Sequence, residues 1–94
     1  MTDPPFPWTA TVRVSLPQSS VADWVEQALR PEASREVPRA HADLRRASDT
    51  ALELSIGAKD SGAMRAALNT YLGWIHLSLA TARAAERPVE RADA

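Results

Sequence analysis

The stretch LSIGAKDSGAMRAALNTYLGWIHLSLA, residues 54–80, constrains this chain more than any other. It reads as a strand, a capped turn and a long helix. Leu52, Leu54, Ile56 and Ala58 face one way and Glu53, Ser55 and Gly57 the other, the period-2 pattern of a half-buried strand spanning about Thr50 to Ala58. Asp60 or Ser61 can cap the helix by offering a side-chain oxygen to a free N–H of its first turn. No proline follows until Pro88, so the helix is expected to run to about Arg87. Its apolar residues fall on two opposite faces. A chain of 94 residues buries only about 60–65% of its unfolded surface, so its own sheet can cover one of these faces and the other needs a partner.

A helical projection separates three stripes. With Ile75 at zero and about 100° per residue, Met64, Leu68, Tyr71, Leu72, Ile75, Leu79 and Ala82 lie within about 60° of one line and form the expected core stripe. The opposite side carries Ala66, Thr70, Gly73, Leu77, Ala80 and Ala84 at spacings of 4, 3, 4, 3 and 4, a heptad seam flanked by Trp74 and Thr81. Its small, uncharged residues let another helix approach closely; that helix is either the chain's own first helix or a foreign one. Helix propensity alone accounts for Ala66, Ala80 and Ala84 but not for Trp74, Leu77 or Gly73, since glycine costs about 1 kcal/mol in a helix interior. The third stripe holds Arg65, Asn69, His76, Arg83 and Arg87 without a carboxylate. It is either a solvated face or a ridge for phosphate contacts.

The remaining elements are shorter. Pro4, Pro5 and Pro7 make residues 1–7 an extended arm. Residues 8–16 alternate, with Ala10, Val12, Val14 and Leu16 inward and Thr11, Arg13 and Ser15 outward. Ser19 or Ser20 is expected to cap a first helix, with Asp23 three residues after Ser20 approximating a capping box. Val21, Trp24, Val25, Ala28 and Leu29 follow helical spacing, and Pro31 is expected to end the helix. Residues 39–46 alternate weakly, with Ala40, Ala42 and Leu44 inward, before a turn at Ala47, Ser48 and Asp49. The order strand, helix, strand, strand, helix implies an α+β fold: a three-stranded antiparallel sheet with both helices on one face. One domain is expected over 8–87, with a frayed tail at 88–94.

Composition removes several function classes. The absence of cysteine excludes disulfides, thiolate zinc sites and a cysteine nucleophile, and suits a reducing cytoplasm. A net charge of −1 supplies no global field for nucleic acid, so RNA contact requires a local patch. MTDPPFPW lacks the features of a signal peptide, and Arg65, Asn69 and His76 interrupt the most apolar window, so no membrane span is expected. His41 and His76 lie on different elements, without metal-ligand spacing. Gly57, Gly62 and Gly73 are isolated, so no phosphate-cradling loop is present. No nucleophile or acid–base pair is identifiable. No enzyme activity, cofactor or metal is expected.

ALRPE, residues 28–32, together with LELSIGAKDSGAMRAALNTYLGWIHL, residues 52–77, resembles the small bridging subunit of the KEOPS complex, the polarised-growth and transcription-cofactor family related to cancer/testis antigens. The family's strand, Asp and LRAxxNSYLxWI helix is matched at Asp60, Arg65, Ala66, Asn69, Tyr71, Leu72, Trp74 and Ile75, with Met64 for the usual Leu and Thr70 for the usual Ser. The resemblance covers about residues 9–84 and is weakest at 32–49. It implies a non-catalytic subunit that forms a homodimer by sheet extension and docks the N-terminal helices of the metal-binding catalytic subunit. That enzyme transfers threonylcarbamoyl to the tRNA adenosine beside the anticodon; the subunit would bridge two copies and help hold tRNA. On this reading Ala66, Thr70, Gly73, Trp74, Leu77 and Ala80, with Trp24 and Val25, contact the partner helices, and Arg65, Arg83 and Arg87 contact RNA. The polar outward sheet face favours dimerisation by edge pairing over face packing. The alternative is a stand-alone KH-like RNA-binding module, which would be expected to carry a GXXG clamp absent here.

Overall fold

The computed structural model describes residues 6–33 and 38–86. Five elements follow in chain order: β1 (Trp8–Ser15), α1 (Ser19–Ala33), β2 (Ala40–Ser48), β3 (Ala51–Ala58) and α2 (Ser61–Glu86). The fold is α+β, with three antiparallel strands in the order β1-β3-β2. β3 is therefore the centre of the sheet although it is the last strand in the chain. Its register pairs Ile56 with Ala10 and Ala42, and Leu54 with Val12 and Leu44. Side chains alternate between sheet faces, so this register collects the inward residues of all three strands under the helices.

The core unites Leu52, Leu54, Ile56 and Ala58 of β3 with Val21, Val25, Leu29 and Ala33 of α1 and with Met64, Ala67, Tyr71, Ile75 and Ala82 of α2. α1 packs on β2 and β3; α2 lies over β3 and reaches both outer strands. The phase of α2 differs from the projection. Leu72, expected in the core, is 46% exposed, whereas Ala67 and Ser78 are buried. The buried line is rotated toward the flank that meets α1, where only small side chains fit between two packed helices.

Three local expectations are corrected. Pro31 does not end α1, which continues to Ala33. A proline in the last turn loses one donor but has a helical φ, and the burial of Leu29 and Ala33 against the sheet holds that turn. Ser19 and Ser20 are the first helical residues rather than caps; the Ser20 hydroxyl donates to Gln18 Oε1 at 3.3 Å, and Asp23 pairs with Arg46 instead of closing a capping box. β2 extends through the expected turn to Ser48 by an irregularity between Arg46 and Ser48, leaving Asp49 and Thr50 as the turn.

That irregularity sits beside Arg46, which pairs with Leu52 on the helix-facing side. Arg46 Nη1 donates to Asp23 Oδ1 and Glu26 Oε1, both at 2.8 Å, while Nε and Nη2 donate to the carbonyls of Ser48 and Asp49 at 2.8 and 2.6 Å. One guanidinium thus ties α1 to the β2–β3 turn, in the multidentate geometry that suits arginine and not lysine. Its hydrogen bond, followed by that of Arg30, holds the Glu26 carboxyl below its ordinary value.

A second brace fixes the start of α2. Asp60 Oδ1 accepts from the Ala63 N–H at 2.8 Å, closing the helix N-terminus. Asp60 also pairs with Arg39, whose Nε lies 3.1 Å from Oδ2. Arg39 has φ 64°, in the left-handed region that non-glycine residues rarely adopt. Its carbonyl accepts from the Lys59 N–H at 2.9 Å, so a backbone bond and an ion pair together hold the unfavourable conformation.

At the same end of the sheet Phe6 crosses the outer face. A Cβ on Gly57 would lie 2.8 Å from the Phe6 Cβ, so this approach requires glycine. The Phe6 ring stacks on His41 with centroids 6.0 Å apart.

Two measurements probe these contacts. The Ala63 N–H, and secondarily Arg39, hold the Asp60 carboxyl below its ordinary 3.8. A depressed carboxyl contributes stability that is present above the unfolded-state value and lost as pH falls through the lower folded value. Asp60→Ala is therefore expected to lower the thermal midpoint at neutral pH, with the gap to wild type closing as pH drops below about 4. A constant gap would show that the charge contributes nothing. Separately, the Tyr71 hydroxyl is buried with no hydrogen-bond partner among the described residues, and burial, with the Glu32 charge adding, pushes its pKa up. Tyr71→Phe is expected to stabilise the domain by about 1 kcal/mol in urea unfolding, because an orphaned buried polar group is a net cost.

Candidate partner-docking groove

On α1, Trp24, Gln27 and Ala28 recur at helical spacing on the side away from the strands, because Val21, Val25 and Leu29 occupy the side toward them. On α2, Trp74, Leu77, Ser78 and Thr81 form the facing wall. Between the walls lies an open groove of about 420 Å³. Trp24, Trp74 and Leu77 are 46%, 37% and 54% exposed, an unusual solvent exposure for three large apolar side chains that adjoin. The groove walls carry no ionisable group. The Thr81 hydroxyl donates to the Leu77 carbonyl at 2.9 Å, so it is satisfied within the helix.

The residues expected to meet a partner divide into three groups. Trp24, Trp74 and Leu77 come together in the groove. Ala66, Thr70, Gly73 and Ala80 are exposed on the adjoining side of α2. A Cβ on Gly73 would have no atom within 4 Å. Val25 does not belong to the surface: it is 0% exposed, on the same inward line as Val21 and Leu29, and the assignment is corrected to core. Gln27 and Ala28 were not expected in the site, although their i+3 and i+4 spacing from Trp24 places them beside it. α1 lies alongside the seam and forms the opposite wall, leaving the seam itself uncovered.

The basic stripe is also on the surface. Arg65, Asn69, His76 and Arg83 are exposed, and Arg87 lies outside the described residues. Arg13, Arg30, Arg39, Arg45 and Arg46 each pair with a carboxylate. Among the described residues Arg65 and Arg83 have none, and α2 carries no acidic residue before Glu86. The outer sheet face is the reverse case. Glu53 sits between Arg45 at 2.8 Å and Arg13 at 3.3 Å, and Arg45, then Arg13, hold its carboxyl below the ordinary value. His41 lies 3.1 Å from Asp43. That face is polar and charge-balanced.

Among the described residues no group of His, Asp and Glu is placed to hold a metal ion, and no helix is long and apolar enough to cross a membrane. No curated protein matches the chain. The family model described as transcription factor Pcc1 matches residues 9–83, which takes in β1 from Thr9, α1, β2, β3 and nearly all of α2. This family is that of a non-catalytic subunit of the multi-subunit KEOPS complex. The groove, the seam as far as Ala80 and the basic stripe as far as Arg83 fall inside the matched span, and on that match the chain belongs to the Pcc1 family.

Proposed function

We propose that the chain is the homodimeric scaffold subunit of a cytoplasmic KEOPS assembly, its folded unit spanning 8–87. It bridges two catalytic subunits, which add threonylcarbamoyl to the adenosine beside the tRNA anticodon, and it contributes contacts to that tRNA. The observation that carries this reading is the uncovered apolar groove between α1 and α2. Its two helical walls and the heptad spacing of the adjoining seam fit partner helices, here the N-terminal helices of the catalytic subunit. Full burial of a large apolar side chain contributes about 1.5–3 kcal/mol. Trp24, Trp74 and Leu77 are therefore the natural anchors, with the small residues of the seam permitting close approach.

The sheet supports dimerisation through β1. β1 is an outer strand, and on its helix-facing side Ala10, Val12 and Val14 are only half-buried while Trp8 is 50% exposed. Of the matching residues of β2, Ala40 and Ala42 are buried and Leu44 and Arg46 half-buried. A second copy paired along β1 would cover this row and continue the sheet. On α2, Leu72 lies on the flank away from α1 and adds to the surface such pairing would bury.

Two variants test these surfaces. Gly73→Leu projects into open space, so the domain is expected to stay folded while co-purification with the catalytic subunit is lost; unchanged capture removes the seam from the interface. Leu72→Glu is expected to lower the mass of the pure chain in light scattering from dimer to monomer at micromolar concentration, with the circular dichroism spectrum unchanged. An intact dimer would move the interface elsewhere.

A further inference from the structure

We infer that the homodimer carries two phosphate sites that neither copy holds alone. Each is built across the dyad from Arg65 of one copy and Arg83 of the other, and phosphate bound there tightens the dimer. This rests on the pairing along β1 proposed above and adds a ligand to it.

The first support is the phase of the helix. At about 100° per residue, exposed Arg65, His76 and Arg83 fall within about 40° of Leu72 and about a quarter turn from the buried line of Met64, Ile75 and Ala82. Buried Ala67 and Ser78 lie on the other side of that line, toward α1. The cations therefore occupy the β1 flank of α2, beside exposed Trp8 and the half-buried row of Ala10, Val12 and Val14.

The second support is what pairing along β1 does to that flank. An antiparallel partner strand puts three strand spacings between the two copies of β3, and so about 14 Å between the α2 helices above them. Packed helices lie about 8–10 Å apart, so a cleft remains. Its floor is the apolar row of both β1 strands, and its walls are the two basic stripes. The two α2 helices run antiparallel across it. β1 has eight residues and begins beside Ala58, near the start of α2. A centred dyad then lies about 12 Å past Trp8, level with about residues 69–72 of the helix. Position 74 is midway between Arg65 and Arg83. A dyad within about one turn of that midpoint brings Arg65 of one copy opposite Arg83 of the other, with the second copy's His76 alongside.

The third support is the charge that this pairing brings together. Among the described residues β1 carries no carboxylate, and Asp60 at the foot of α2 is engaged by Arg39 and the Ala63 N–H. Glu86, the first acidic residue of the helix, comes one turn after Arg83 and further from the dyad. Like charges opposed across an interface are destabilising until an anion sits between them. Guanidiniums converging from opposite walls match the oxygens of a phosphate group, which arginine holds through paired N–H donors. Such a group arrives either free or as part of an RNA backbone.

Sedimentation equilibrium of the full chain measures the dimer dissociation constant in chloride and in pyrophosphate at matched ionic strength. With two sites and the anion at about ten times its Kd, linkage lowers that constant roughly a hundredfold. Arg65→Gln and Arg83→Gln, both at exposed positions, are each expected to dimerise in chloride at least as tightly as wild type and to ignore pyrophosphate. An equimolar mixture of the two variants is expected to regain the response, because their heterodimer unites the surviving Arg65 with the surviving Arg83 in one site. A response to oligouridine in place of pyrophosphate assigns the phosphate to an RNA backbone and keeps the site. An equal response to polyglutamate makes it a site for carboxylates and overturns the inference. So does a wild-type dimer indifferent to both phosphate probes, or a mixture that regains nothing; in these cases the dimer itself stands. A chain that stays monomeric in every buffer removes the pairing along β1 and the inference with it.

Discussion

The width of the sheet governs everything outward of it. Neighbouring strands lie about 4.8 Å apart, so three strands place their outer axes only about 10 Å from each other. Two helices packed at 8–10 Å fill that width. α1 and α2 can therefore each bury one stripe on the sheet and a narrow flank on each other, and among the described residues no third element remains to cover what is left. The small side chains of Ala67 and Ser78, both buried, allow the close helix–helix contact. The cost of that arrangement is an open trough above it, where Trp24, Trp74 and Leu77 cannot reach the core.

The strands were legible in the sequence because their alternation is local and their partners are dictated by it. Ala10, Val12 and Val14, Ala40, Ala42 and Leu44, and Leu52, Leu54, Ile56 and Ala58 all fall on the helix-facing side in the observed register. The phase of α2 was not legible to the same degree. A projection weights large residues, so it drew Leu72 into the core and passed over Ala67 and Ser78, whose burial depends on where α1 docks. Val25 was assigned to the partner together with Trp24, yet one residue along a helix is a turn of about 100° and here a change from surface to core. Pro31 illustrates a local rule overridden by tertiary burial, at Leu29 and Ala33.

Side chains that look like surface charge divide into braces and free groups only in three dimensions. Arg46 reads as one of several arginines in the sequence, but it joins Asp23 and Glu26 of α1 to the carbonyls of the β2–β3 turn. Arg39 accepts a left-handed backbone and spends its guanidinium on the residue that caps α2. Arg13 and Arg45 share Glu53. Once these are assigned, the outer sheet carries little net field, and the described arginines without a carboxylate partner, Arg65 and Arg83, are both on α2. The same helix thus presents apolar surface on one flank and uncompensated charge on another, separated by its own curvature.

Gly73 sharpens the question of what these surfaces are for. Where glycine is required by a fold, a neighbour shows why, as Phe6 does at Gly57. At Gly73 nothing lies within reach of the missing Cβ and the backbone is helical. Alanine there would favour the helix by about 1 kcal/mol, a considerable share of the stability of a small domain. A residue that weakens its own helix, meets no side chain among the described residues and sits in a seam beside exposed Trp74 and Leu77 fits the close approach of a helix proposed above. The mid-helix glycine and the uncovered groove are two expressions of one constraint, a domain too narrow to bury its longest helix alone.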